Sequence, residues 1–231
     1  MNDIEREREI IRVHRLQREA QLKMRKRRRF IISIAAVVLL VLAGLLIWQI
    51  WRAATGRNID LASIASPAWV DQDYIDMDGH ARDGSTMAGV RDIAIHYVGN
   101  PDTTAKANRD YFNQPGVDVS SHFIVGLEGE VVQCLPLNEK SAATNQRNAD
   151  TISIEVCHPD ESGKFSDKTY QSLVKLTAWL CEELRLDGDN LIRHYDVTGK
   201  LCPLYYVEHE DAWQQLKRDV DARIAADGAE E

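Results

Sequence analysis

Residues 30–51, FIISIAAVVLLVLAGLLIWQIW, form an almost unbroken apolar run with no charged residue inside it. Wound as a helix at about 1.5 Å per residue, the run covers the roughly 30 Å hydrocarbon core of a bilayer. Trp48 and Trp51 sit at its far end, where amphipathic rings favour the membrane interface. The segment Lys23–Arg29, KMRKRRR, comes directly before it, and only Arg52 and Arg57 follow closely. Positive-inside bias then puts the N-terminus in the cytoplasm and everything beyond Trp51 outside. A buried core helix and a cleaved signal peptide are the alternatives. A signal peptide has a shorter apolar stretch and a small-residue cleavage site, which Trp-Gln-Ile-Trp-Arg does not supply. The expectation is one N-terminal transmembrane helix in the cell membrane, with the lipid bilayer as partner through residues 30–51.

That anchor divides the chain by charge. Residues 1–29 carry 11 Lys/Arg against 5 Asp/Glu, whereas the rest holds 17 basic and 31 acidic residues, a balance of -14. Nucleic acid binding needs clustered positive charge, so an acidic body argues for no nucleic acid partner. The basic tail, 1–29, has no sustained apolar heptad and no assigned chemistry. Residues 52–66 show no clear period and read as an extracellular stem. Pro67-Ala-Trp69 opens the folded unit, expected over 67–226, with 227–231 as a C-terminal tail.

Within that unit, residues 92–96, 121–125, 130–134, 151–157 and 191–194 read as strands, and Leu127-Glu-Gly129 suggests a hairpin between the second and third. Tyr170, Leu173, Val174, Thr177, Leu180, Cys181 and Leu184 recur at helical spacing, which predicts a helix over 167–186 with Ser166 as N-cap and Gly188 beyond its end. A second helix over 208–225 buries Ala212, Trp213, Leu216, Val220 and Ile224, and a shorter one spans 104–113. Strands interleaved with helices imply an α/β fold, a single mixed sheet flanked by helices.

The chemistry concentrates in residues 193–203, RHYDVTGKLCP. A core cysteine normally lies inside an apolar run, but Cys202 follows Gly199 and Lys200 and precedes Pro203, in an expected loop. A thiol beside a lysine in such a loop should have a lowered pKa, suited to a nucleophile or a metal ligand. His194 and His96 each end a short apolar strand, where a side chain can point into a cleft. Two such histidines and one cysteine would leave the fourth position of a zinc site open, the arrangement of catalytic zinc. Spacing alone is equally compatible with scattered histidines. The cysteines at 134 and 157 both end strands, so a disulfide between them is open; Cys181 reads as a core residue, and His158 and His209 as surface or capping residues.

The stretches IHYVGNP (95–101), SHFIV (121–125), ISIE (152–155) and RHYDVTGKLCP (193–203) resemble, in the same order, the motifs of the type 2 N-acetylmuramoyl-L-alanine amidases, the zinc amidases related to phage amidase lysozymes and peptidoglycan-recognition proteins. The resemblance covers roughly residues 67–225. It implies Zn2+ held by His96, His194 and Cys202. Some members carry a catalytic tyrosine where this chain has Ser121; the bacterial and endolysin branch instead places a glutamate where this chain has Glu155. By alternation Ser153, Glu155 and Cys157 share the strand face opposite Ile152, Ile154 and Val156.

The activity implied is hydrolysis of the amide between N-acetylmuramic acid and L-alanine in peptidoglycan. Glu155 would act as general base and Lys200 would stabilise the tetrahedral intermediate; His122 either lines the cleft or is a hydrogen-bonded histidine within the sheet. The competing class is a non-catalytic, membrane-anchored muropeptide receptor, which the completeness of the site disfavours.

Overall fold

The computed structural model describes Met24, Ile34 and residues 37–49, 59–77, 80–87 and 89–229. The chain divides into two units, Met1–Arg52 and Ala53–Glu231. In the first, residues 37–49 are helical and expose apolar side chains such as Leu39, Leu40 and Ile47. Apart from these, Met24 and Ile34, the expected spanning helix and basic tail lie outside the described residues, as do residues 52–58 of the expected stem. Among the described residues no helix is long and apolar enough to cross a membrane.

The second unit is α/β. Its described strands are β1 (Val70–Gln72), β2 (Asp92–Tyr97), β3 (Phe123–Val125), β4 (Val131–Gln133), β5 (Thr151–Val156) and β6 (Leu191–Arg193), in the sheet order β1-β4-β3-β5-β2-β6. Only β3 and β4 pair antiparallel, through the expected hairpin. There Gly129 adopts φ +87°, a left-handed turn position that a side chain would strain. The remaining pairs are parallel, so β6, β2, β5 and β3 all end on one side of the sheet. The helices are α1 (Ala105–Phe112), α2 (Asp167–Leu184), α3 (His194–Thr198), α4 (Leu204–Glu208) and α5 (Glu210–Asp227).

Alternation along the strands separates two faces. Ile93, Ile95, Phe123, Val125, Ile152, Ile154 and Val156 form one, packed with Leu173, Leu176 and Leu180 of α2 and Trp213, Leu216 and Val220 of α5. Each side chain of this kind contributes roughly 1.5–3 kcal/mol on full burial. The opposite face packs Ile124, Val132 and Cys134 with Val98, Cys157 and the Ala105 and Phe112 side chains of α1.

Helix ends follow local chemistry. The Ser166 hydroxyl accepts the Thr169 N–H at 3.2 Å, capping α2 as expected. Its other end is Arg185, in left-handed geometry with φ 55°, and Gly188 instead opens the 3-10 turn Gly188–Asn190. Three local features depart from the sequence reading. Strand β1 was not legible because it is a three-residue edge with only Val70 buried. The segment after β6 contains two short helices that were not expected, α3 and α4, with Cys202 in the loop between them as expected. Residues 59–66, expected in the stem, belong to the folded unit: Leu61 is buried in the main core, with Ile59 and Ile64 packed against it.

Candidate metal and catalytic centre

The site forms where parallel strands end together, the edge at which open α/β sheets present their ligand crevices. His96 is near the end of β2 and stands in register with Glu155 of β5. Leu191 and Ile192 of neighbouring β6 pair with Ile93 and Ala94, which carries the next residues, Arg193 and His194, to the same edge. His194 is the first residue of α3.

Arg193 fixes that junction: it is largely buried and its guanidinium donates to Asp196, Glu210 and the Tyr206 carbonyl. Gly199, at φ 77°, ends α3 and reverses the chain. The Tyr195 N–H then meets the Cys202 carbonyl at 3.0 Å, which returns Cys202 to His194.

His96, His194 and Cys202 are all buried, and their ligand atoms lie within 4.8 Å of one another. Cys202 Sγ is 3.8 Å from His96 Nδ1 and the two imidazole centroids are 4.7 Å apart. A tetrahedral zinc with bonds of about 2.0–2.3 Å needs donor atoms roughly 3.3–3.7 Å apart, so the three are near a chelating arrangement.

Burial, assisted by His194 and Lys200, holds the His96 pKa down at about 3, and burial with Lys200 lowers that of His194. Both rings are therefore neutral at pH 7, the form a metal requires.

Burial pushes the Cys202 thiol up to about 12, and nearby Glu155 acts in the same direction. The lowered thiol pKa expected beside Lys200 is thus corrected. Cys202 is only 3% exposed, and burial outweighs the exposed lysine. The Tyr97 N–H hydrogen-bonds the sulfur and opposes the rise, as a cation in the site would.

Glu155 and Lys200 both line an open cleft of about 1040 Å3 that includes the three donors. Glu155 Oε1 is 4.0 Å from His96 Nδ1, while Oε2 is buried with no hydrogen-bond partner. Burial raises this carboxyl to about 8 despite the opposing charge of Lys200. An orphaned carboxylate oxygen beside two neutral imidazoles and a thiol suits a site built around a cation and a proton donor; the residues fit a zinc ion.

His122 does not line the cleft. It is fully buried beneath it: its Nδ1 accepts the Ser153 N–H at 3.0 Å and its Nε2 lies 2.9 Å from the Glu139 carbonyl. Both nitrogens are satisfied, so the residue ties loop to sheet. His158 is also buried, between the carbonyls of Val98 and Asp160, and not at the surface. His209 is exposed at the N-cap position of α5. The cysteines at 134, 157, 181 and 202 are free, so 134 and 157 form no disulfide.

The sequence reading missed Thr144 and Asn145. Thr144 Oγ1 lies 3.2 Å from His96 Nε2, and Asn145 Oδ1 2.9 Å from His194 Nε2. No periodicity marks them, because each contact spans nearly fifty residues of chain.

The sequence pattern of the N-acetylmuramoyl-L-alanine amidase family matches residues 86–205, a stretch that includes all five residues expected to form the centre. The chain belongs to this family. Over 172 residues this chain is 28% identical to the N-acetylmuramoyl-L-alanine amidase CwlL of Bacillus licheniformis, covering 67% of this chain and 47% of that protein. It is 29% identical over 173 residues to BlyA of Bacillus subtilis (strain 168), an N-acetylmuramoyl-L-alanine amidase, covering 66% and 47%. The chain thus spans about half the length of the curated relatives it matches. The catalytic domain of XlyA superposes on the amidase domain with a TM-score of 0.57 and 27% identity, over 65% of this chain and 98% of that one.

Proposed function

We propose that this chain is a zinc amidase that hydrolyses the amide between N-acetylmuramic acid and L-alanine in peptidoglycan. One observation carries the reading: Glu155, which lines the cleft with one carboxylate oxygen buried and unpartnered, stands beside three converging candidate metal donors in a chain of this family. Zinc held by His96, His194 and Cys202 would polarise the scissile carbonyl and acidify water. Glu155 takes the proton of the attacking water and returns it to the departing L-alanine amine. Burial favours the neutral carboxyl, and a cation held by the three donors would favour the ionised form that this transfer requires. Lys200, exposed at the cleft wall, balances the negative charge that develops on the carbonyl oxygen.

The deciding experiment incubates the purified, zinc-loaded full chain with sacculi. New free L-alanine amino groups should appear, matched by stem-free N-acetylmuramic acid. A fully loaded chain that binds muropeptides and releases no amine would replace the enzyme with the receptor reading.

The anchor is part of the same proposal. The uncharged apolar run over 30–51, preceded by KMRKRRR, supports a single-pass helix with the amidase domain outside the cell. Protease added to wall-stripped cells should remove the domain and spare the N-terminal tail; a protected domain would reverse the topology.

A further inference from the structure

We propose that Thr144 and Asn145 are positioning residues that hold His96 and His194 in the tautomer with the proton on Nε2, so that both rings offer Nδ1 to one metal ion. The inference rests on the zinc reading of the site and concerns how this chain prepares it. Asn145 Oδ1 can only accept, so at 2.9 Å it requires a proton on His194 Nε2. On His96 the Nδ1 faces Cys202 Sγ at 3.8 Å and Nε2 lies 3.2 Å from Thr144 Oγ1, a hydroxyl that can donate or accept and that accepts from Nε2–H once Nδ1 is given to the metal. Metal-binding imidazoles commonly donate their second nitrogen to an oxygen in this way, which fixes ring orientation and raises donor strength.

The turn carrying both residues is itself held from several sides. The N–H groups of Ala143 and Thr144 donate to Asn148 Oδ1 at 3.3 and 2.6 Å. Arg147 bridges Asp92, at the start of β2, and Asp150. Gln146 Nε2 donates to the Val197 carbonyl of α3 at 3.2 Å. Asn145 takes φ 52°, a left-handed conformation that asparagine tolerates better than most residues. Thr144 is fully buried. Two adjacent residues of one braced turn therefore reach the second nitrogens of two ligands that lie 98 positions apart in sequence.

Two measurements on the purified full chain test this. Zinc affinity is read by competition with a chromophoric chelator, and histidine tautomers by long-range 1H–15N NMR of metal-free protein. Asn145→Gly keeps the left-handed backbone and deletes the acceptor; Thr144→Val keeps the shape and deletes the hydroxyl. Each should weaken zinc about 10- to 100-fold and shift its histidine toward a tautomer mixture, while the metal-free protein still folds cooperatively with a modest drop in melting temperature from the unmet buried group. Thr144→Ser should restore affinity. Parental affinity in both Asn145→Gly and Thr144→Val would overturn the inference, as would a parent whose His194 carries its proton on Nδ1. The NMR result on the unaltered parent needs no variant to fold. A parent that takes up no zinc at all would instead remove the metal reading on which the inference stands.

Discussion

Adjacent residues of β5 have opposite jobs. Ile154 points into the layer formed by the sheet with α2 and α5, where it is completely buried among apolar side chains. Glu155 points the other way, to the cleft, where one carboxylate oxygen is buried and unpartnered. The same alternation holds on β2, with Ile95 in the core and His96 in the site. One face thus gains stability by filling space, and the other, beside its own apolar cluster, carries at the cleft a carboxylate that the fold leaves incompletely satisfied. Unmet hydrogen-bonding capacity costs folding energy, so its presence marks where a ligand or ion completes the structure.

The sharpest way to break this comparison is to change each neighbour alone. Glu155→Gln keeps the shape but cannot accept a proton, and kcat should fall about 10^2- to 10^4-fold. Thermal stability should change little, because burial already favours the neutral carboxyl that glutamine resembles. Activity on N-acetylmuramoyl-peptide and the melting curve, measured on the same preparation, check both halves. Near-parental kcat would mean that the base lies elsewhere. Ile154→Ala should do the reverse: a loss of roughly 2–5 kcal/mol in denaturant unfolding, with kcat per folded molecule retained. A collapse of kcat at full folding would show that the two faces are not separable.

These opposed roles also explain what could be read from sequence. The strands, the α2 stripe and the split of β5 into two faces follow from spacing of two and of 3.6 residues, which local sequence records. The grouping of His96, His194 and Cys202 was partly legible because RHYDVTGKLCP keeps two of its members eight residues apart. The positions of Thr144 and Asn145 were not, since their partners are brought together only by the fold, and of the two readings open for His122 the hydrogen-bonded one is realised. The Cys202 thiol was misjudged for a related reason: Lys200 is visible two residues away, but the burial that dominates its pKa comes from distant chain.

A smaller effect sharpens the comparison within the cleft-side face. His122 is fully buried and neutral, with burial lowering its pKa to about 4 from an ordinary value near 6.5. Between those pH values the unfolded chain binds a proton that the folded chain does not. Stability contributed by neutral His122 is therefore full above about pH 6.5 and lost as pH falls toward 4. The loss is about 3 kcal/mol at most for this one residue. His122→Gln, which can still accept from Ser153 and donate to the Glu139 carbonyl, should flatten the slope of unfolding free energy between pH 6.5 and 4. An unchanged slope would assign the acid sensitivity to other groups.

The smallest expected effect concerns the cysteines, and here the two faces should behave alike. Cys134 and Cys157 lie on the α1 side of the sheet and Cys181 on the α2 side, all buried and all free. Burial raises the three thiols, Cys157 to about 12, so little thiolate exists at pH 7 to attack an oxidant or a disulfide. Cys157 packs instead against Asn108, whose Nδ2 is 3.6 Å from its sulfur. A mild reductant should therefore change the melting temperature by less than about 1 °C. Loss of a native disulfide would cost roughly 2–5 kcal/mol, which in a domain of this size lowers the melting temperature by several degrees. The gap between those two outcomes is wide enough for one pair of melting curves to decide it. A drop of several degrees would mean that the α1 face is held by a covalent link between Cys134 and Cys157, and the comparison of the faces would then have to be redrawn with a cross-link on one side only.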